Sequence, residues 1–207
     1  MLAVLFLRFL GAFIAAKLAP FFGLTSFGIN IIDRLLLIAL VLYVVRIKYR
    51  FKGDIKHRSI IVNSGVGVIA GILLFVLAQG LEQFLGHFFV ISADTHPLAG
   101  LASNAQSFRE FMAPFFIGAV LAPVSEELYY RRLSYPVFKK HWGVVIGLLV
   151  SAIFFAVLHF QTVWFVEIVL VAMALGLLYE KTGSLMPSII AHSMVNGARL
   201  IMIYFST

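Results

Sequence analysis

The run SIIVNSGVGVIAGILLFVLAQ, residues 59–79, decides the fold class. It holds no charged side chain, and as a helix rising about 1.5 Å per residue it matches a hydrocarbon core of ~30 Å. Similar apolar runs lie at 2–22, 28–46, 109–131, 142–159, 163–179 and 185–204, separated by short polar breaks. The pattern predicts an all-α, polytopic transmembrane helical bundle of seven spans, with six or eight also compatible, forming one domain over residues 1–207. Composition agrees: 62% of residues are hydrophobic, 12% are charged, and the mean hydropathy is +1.03. The first run carries Arg8 and Lys17 and lacks a small-residue cleavage site followed by polar sequence, so it reads as a retained helix and not a removable signal.

Charge orients the bundle. Arg46, Lys48, Arg50, Lys52, Lys56 and Arg58 crowd one break, and Arg131, Arg132, Lys139 and Lys140 another, which places both segments on the cytoplasmic side. The stretch from Gly80 to Phe108 has no Lys or Arg and contains Glu82, Asp94 and Pro97, as expected of an external loop with a short interfacial helix. The N-terminus then lies inside and the C-terminus outside. The net charge of +7 resides in these breaks, which argues for membrane lipid as a partner and against nucleic acid. The chain has no cysteine, which excludes disulfides, thiolate metal sites and a cysteine nucleophile. Gly67 and Gly71, with Gly65 nearby, mark a face for close helix contact.

An ionisable side chain within a span is costly, about 2.5–3.5 kcal/mol on insertion scales, and three clusters of such groups occur. The first is Glu126-Glu127-Leu128-Tyr129-Tyr130-Arg131, after Pro123. Glu127 and Arg131 stand four apart with the acid first, the favourable order for a helical ion pair, whereas Glu126 points about 100° away and is free for another partner. The second runs from Phe155 to His159. The third runs from His192 to Asn196, two polar side chains on one helix face. Taken singly, the first motif reads equally well as a solvated helix end, and the other two read more simply as an interfacial histidine and interhelical hydrogen bonding.

Together and in this order, the motifs resemble the CPBP intramembrane proteases, also called the Abi or Rce1-like group, which includes the CAAX prenyl endopeptidases. The resemblance covers residues 126–196 and makes the helices of 109–204 the catalytic core, with the active site in a membrane-embedded cavity. It implies an endopeptidase acting near the cytoplasmic membrane surface on a peptide or membrane-protein substrate. Glu126 would be the general base, with Glu127 beside it in the site, His159 would position the attacking water, and His192 with Asn196 would stabilise the oxyanion. Arg131 would be the structural partner of Glu127, with Phe155 supporting the site from behind; Glu167, apart from the resemblance, reads as a structural partner or cavity liner, or as support for His159 if the short loop folds back.

The resemblance also admits zinc held by Glu126, His159 and His192, or with Glu127 in place of Glu126. No helix pairs two histidines around a glutamate, so a site without cofactor is preferred and zinc kept as the alternative. No serine with a matched histidine and no embedded aspartate pair offers another protease class. The rivals are a non-catalytic scaffold or immunity protein and a transporter, which would show inverted repeats. By resemblance, peptide, pheromone or bacteriocin processing, or bacteriocin immunity, in a bacterial plasma membrane would suit so short a chain.

One tension is geometric. With the fourth span extended to about Tyr135, Glu126 and His192 fall about 10–15 Å in from the cytoplasmic helix ends, but His159 falls about 24 Å along its span if that helix starts near Gly143. A broken helix, helped by Pro123, would have to bring them level. Arg8 and Lys17 are expected to snorkel to opposite ends of the first helix, Asp33 and Arg34 to start the second, and Arg199 to act as a structural partner or cavity liner.

Overall fold

The computed structural model describes residues 1–23, 25–48, 59–88, 100 and 105–206. These form six long helices and, among the described residues, no strand: α1 Leu2–Phe22, α2 Ser26–Lys48, α3 Ile60–Gly86, α4 Phe108–Val157, α5 Phe165–Thr182 and α6 Leu185–Ser206. All but α5 are long and apolar enough to cross a membrane. The eighteen residues of α5 include Glu167, Glu180 and Lys181. Arg50, Lys52, Lys56, Arg58, Asp94 and Pro97, on which the loop assignments drew, lie outside the described residues.

Helix ends follow local chemistry. Ser59 caps α3 by accepting from the Val62 amide, and Ser107 caps α4 by accepting from Glu110, whose carboxylate returns to the Gln106 amide. The molecule is apolar outside and encloses charged groups among its apolar core residues: Phe6, Ile61, Leu77 and Val145 face outward, while Glu126, Glu127, Arg131, Glu167 and Arg199 are buried. That inversion suits a hydrocarbon surround.

The expected fourth and fifth spans are one helical run bent back at Gly143, whose φ of 74° and ψ of −175° belong to a region that is essentially glycine's alone. The two legs fold tightly, and a Cβ on Gly147 would come within 2.8 Å of the Lys139 backbone. The segment 131–141, expected as a loop, is therefore helix, and Arg131 is buried within it. The helix continues because its lysines remain at its surface while Tyr135 and Phe138 are buried. Tyr135 and Lys139 both bond to Glu180, fixing the first leg to the end of α5.

Three smaller expectations are corrected. Arg8 does not snorkel but makes a two-pronged pair with Asp33, at 2.8 and 2.7 Å, between α1 and α2. Asp33 and Arg34 lie two turns inside α2, not at its start. Glu82 belongs to α3 and not to an external loop. Gly67 and Gly71 do meet another helix: a Cβ on either would collide with Ile190 or Met194 of α6, whereas Gly65 faces open space. With Gln79 bonded to the Met202 sulfur further along, α3 and α6 run parallel.

Candidate active site

Glu126 and Glu127 sit in the short α-helical piece Ala122–Glu127, flanked by two π-helical stretches, Ile117–Leu121 and Leu128–Ser134. π-Turns inside long helices recur at functional sites. Here Pro123 adds a consequence. The Ala122 amide bonds to the Ile117 carbonyl, so the next donor in that register would be Pro123, which has no N–H. The Gly118 carbonyl left over is satisfied by Asn196 Nδ2 at 3.0 Å. Asn196 thus faces the opening beside Glu126 with one amide hydrogen committed to the backbone.

The two acids point to different partners, as their offset around the helix requires. Glu127 is completely buried and accepts from Arg131 Nε at 2.9 Å and Nη2 at 3.3 Å. It also accepts from His192 Nδ1 at 3.1 Å. Glu126 faces a cavity of about 290 Å³ lined by residues of α2, α4, α5 and α6. Its Oε1 accepts from Arg34 Nη1 at 2.6 Å, and its Oε2 lies 4.0 Å from His159 Nε2 and 3.8 Å from His192 Nε2.

His159 reaches Glu126 because of the fold at Gly143. Glu126 lies 17 residues before that glycine and His159 16 after it, so both legs descend about 25 Å and bring the two side chains level. The apparent mismatch in depth came from ending the fourth span near Tyr135, when its helix continues to the bend at Gly143. Phe160, with φ of 53°, lies in the turn after α4, and the chain then enters α5.

Hydrogen bonding orients both imidazoles. His159 Nδ1 is 2.8 Å from the Phe155 carbonyl, which can only accept, so Nδ1 carries the hydrogen and Nε2 presents its lone pair toward Glu126. The Glu127 carboxylate holds His192 Nδ1–H in the same way and leaves Nε2 facing Glu126. Phe155 lies against both rings, with centroids at 4.3 Å from His159 and 6.0 Å from His192, and the Arg131 guanidinium lies 5.8 Å from the centroid of the Phe155 ring.

Glu167 also lines the cavity, but its oxygen is bonded to Arg199 at 3.0 Å, and Arg199 also bonds to Glu82. The residue the sequence did not bring forward is Arg34. Its signal was an Asp-Arg doublet within an apolar run, with Asn30 one turn earlier on the same face and also lining the cavity.

Among the described residues, no group of three or more His, Cys, Asp or Glu is arranged to hold a metal ion. The donor chemistry points the same way: a guanidinium already occupies one oxygen of Glu126, and its positive charge opposes a divalent cation on the other.

No curated protein and no solved structure matches the chain. Residues 108–198, which contain the three motifs, the Gly143 fold and every cavity residue of α4, α5 and α6 except Arg199, match the family model described as type II CAAX prenyl endopeptidase Rce1-like. Over these residues, somewhat less than half of the chain, the protein is similar to the Rce1-like family.

Proposed function

We propose that the chain is an intramembrane endopeptidase in which Glu126 activates water. The observation that carries this reading is the opposition of one carboxylate oxygen to two oriented imidazole nitrogens, at 4.0 and 3.8 Å. These gaps are too long for direct hydrogen bonds and suit one water molecule held between the carboxylate oxygen and the imidazoles. Such a water donates to Glu126 Oε2 and His159 Nε2 and turns its oxygen lone pair toward a substrate carbonyl. As its oxygen bonds to the carbonyl carbon, its proton passes to Glu126. The oxyanion formed is stabilised by the second Nδ2 hydrogen of Asn196 and, when His192 carries a proton on Nε2, by that N–H as well. Collapse breaks the C–N bond, and Glu126 returns the proton to the leaving amine. Arg34 fixes the other oxygen of Glu126, so only one faces the reaction.

Glu126 lies nine residues below Tyr135, the level at which α4 ties to the end of α5, so the bond would be cut about 13 Å beneath that level. The proposed substrate is a peptide or membrane protein.

Cleavage of a membrane-peptide substrate by the protein in nanodiscs tests the reading. Glu126→Gln is expected to lower the rate by about 10²–10⁴ at unchanged yield, because the amide cannot take a proton. His159→Ala should fall similarly, and Asn196→Ala by about 10²–10³, as for loss of one oxyanion donor. Arg34→Gln should lose about 10²-fold through misplacement of the base. Wild-type activity should survive chelation; a bound zinc whose removal abolishes cleavage would replace water activation by Glu126 with the metal route. Full activity in Glu126→Gln would leave a scaffold.

A further inference from the structure

Two helical turns beyond His192 on the same side of α6, Arg199 forms the far end of the cavity, about 10 Å from the catalytic level. Two carboxylates meet this one guanidinium, Glu82 from α3 and Glu167 from α5. Counted with both acids ionised, the cluster has one negative charge more than positive. Glu167 is only 7% exposed, and while its Oε1 accepts from Arg199, its Oε2 is buried with no hydrogen-bond partner. It also lines a second, largely apolar space of about 550 Å³ between α3 and α5.

A buried carboxylate oxygen without a donor is costly, and a net negative cluster in apolar surroundings attracts a cation. An anionic ligand is opposed by both acids, although the unpartnered Arg199 Nε can still donate to a neutral carbonyl. Given that the cavity binds peptide, as proposed above, we infer that Glu167 is a specificity-determining residue that receives a lysine or arginine side chain of the substrate. An extended peptide advances about 3.3 Å per residue, so the basic residue lies about three positions from the scissile bond. The adjoining apolar space accommodates the aliphatic stem of such a side chain.

The test is binding of hydrophobic peptides, each carrying a single Lys, Glu or norleucine scanned along its length, to Glu126→Gln protein in nanodiscs. Lys at one position should bind about tenfold more tightly than norleucine there, with Glu weakest. Adding Glu167→Gln should remove the preference, Glu167→Lys should invert it, and Glu167→Asp should keep it, which separates charge from folding. Equal binding of Lys and norleucine, or a preference that persists in Glu167→Gln, overturns the inference. So does binding of no peptide, which overturns the peptide-binding reading as well. Cleavage of the same peptides by wild type is read separately. A Lys preference in binding without cleavage defeats the peptidase reading alone, and cleavage indifferent to Lys defeats the subsite alone.

Discussion

Glu127 and Glu126 are adjacent, yet burial gives them different tasks. The Glu127–Arg131 pair is 0% and 1% exposed, with every charged atom enclosed by α4, Phe155 and His192, whereas the Glu126–Arg34 pair opens onto the cavity at 10% and 19%. Removing one partner of an enclosed pair strands a buried charge at a cost of about 3–5 kcal/mol. Glu127→Gln and Arg131→Ala should therefore reduce the amount of folded protein and its thermal midpoint in detergent, as read by yield and unfolding. Normal accumulation of both variants would show that the pair does not hold the core. His192 adds a functional strand to the same loss, since its Nδ1–H bond ends on Glu127.

At the scale of elements, the position of His192 depends on how closely α6 rests on α3. A Cβ on Gly71 would come 2.9 Å from the Met194 Cβ and 3.2 Å from the Ala191 Cα, next to His192, with backbone as well as side chain in the way. Gly71→Val should push α6 outward, costing about 1–3 kcal/mol and displacing His192 from Glu126, so that cleavage falls with stability. Gly65→Val, directed into open space on the same helix, is the matched control and should change neither. This contact was legible in the sequence because small residues four apart in an apolar run can face one neighbour. The helices themselves were equally legible, since long apolar runs admit little else. The continuation through Lys139 and Lys140 was not, because charge suggests an aqueous loop and does not distinguish it from a helix emerging into water. In the site, Glu126, Glu127, His159, His192 and Asn196 could be found as polar groups in apolar runs at helical spacing. Arg34 and Glu82 reach their partners across 92 and 117 positions, where no local periodicity operates.

For the whole molecule, helix directions and charge placement constrain the same arrangement. Parallel packing of α3 and α6 requires an even number of reversals between them. The bend at Gly143, the turn before α5 and the turn at Gly183 give three, and the passage from α3 into α4 gives the fourth. If α5 and both legs of α4 cross the bilayer, the chain has seven spans, with Arg46–Arg58 and the Gly143 bend on the basic, cytoplasmic side. Because the sequence contains no cysteine, single cysteines report position without background. Cysteines at Lys52 and at the exposed Lys140 should react with an impermeant maleimide only after the cytoplasmic face is opened, and one at Asp94 should react in intact cells. The Asp94 site tests the passage from α3 to α4, and Lys140 tests whether the two legs of α4 return to the cytoplasmic side. Labelling of Lys52→Cys from outside would overturn the seven-span arrangement and, with it, cleavage beneath the cytoplasmic surface; the distances around Glu126 would still stand, since they depend on packing alone.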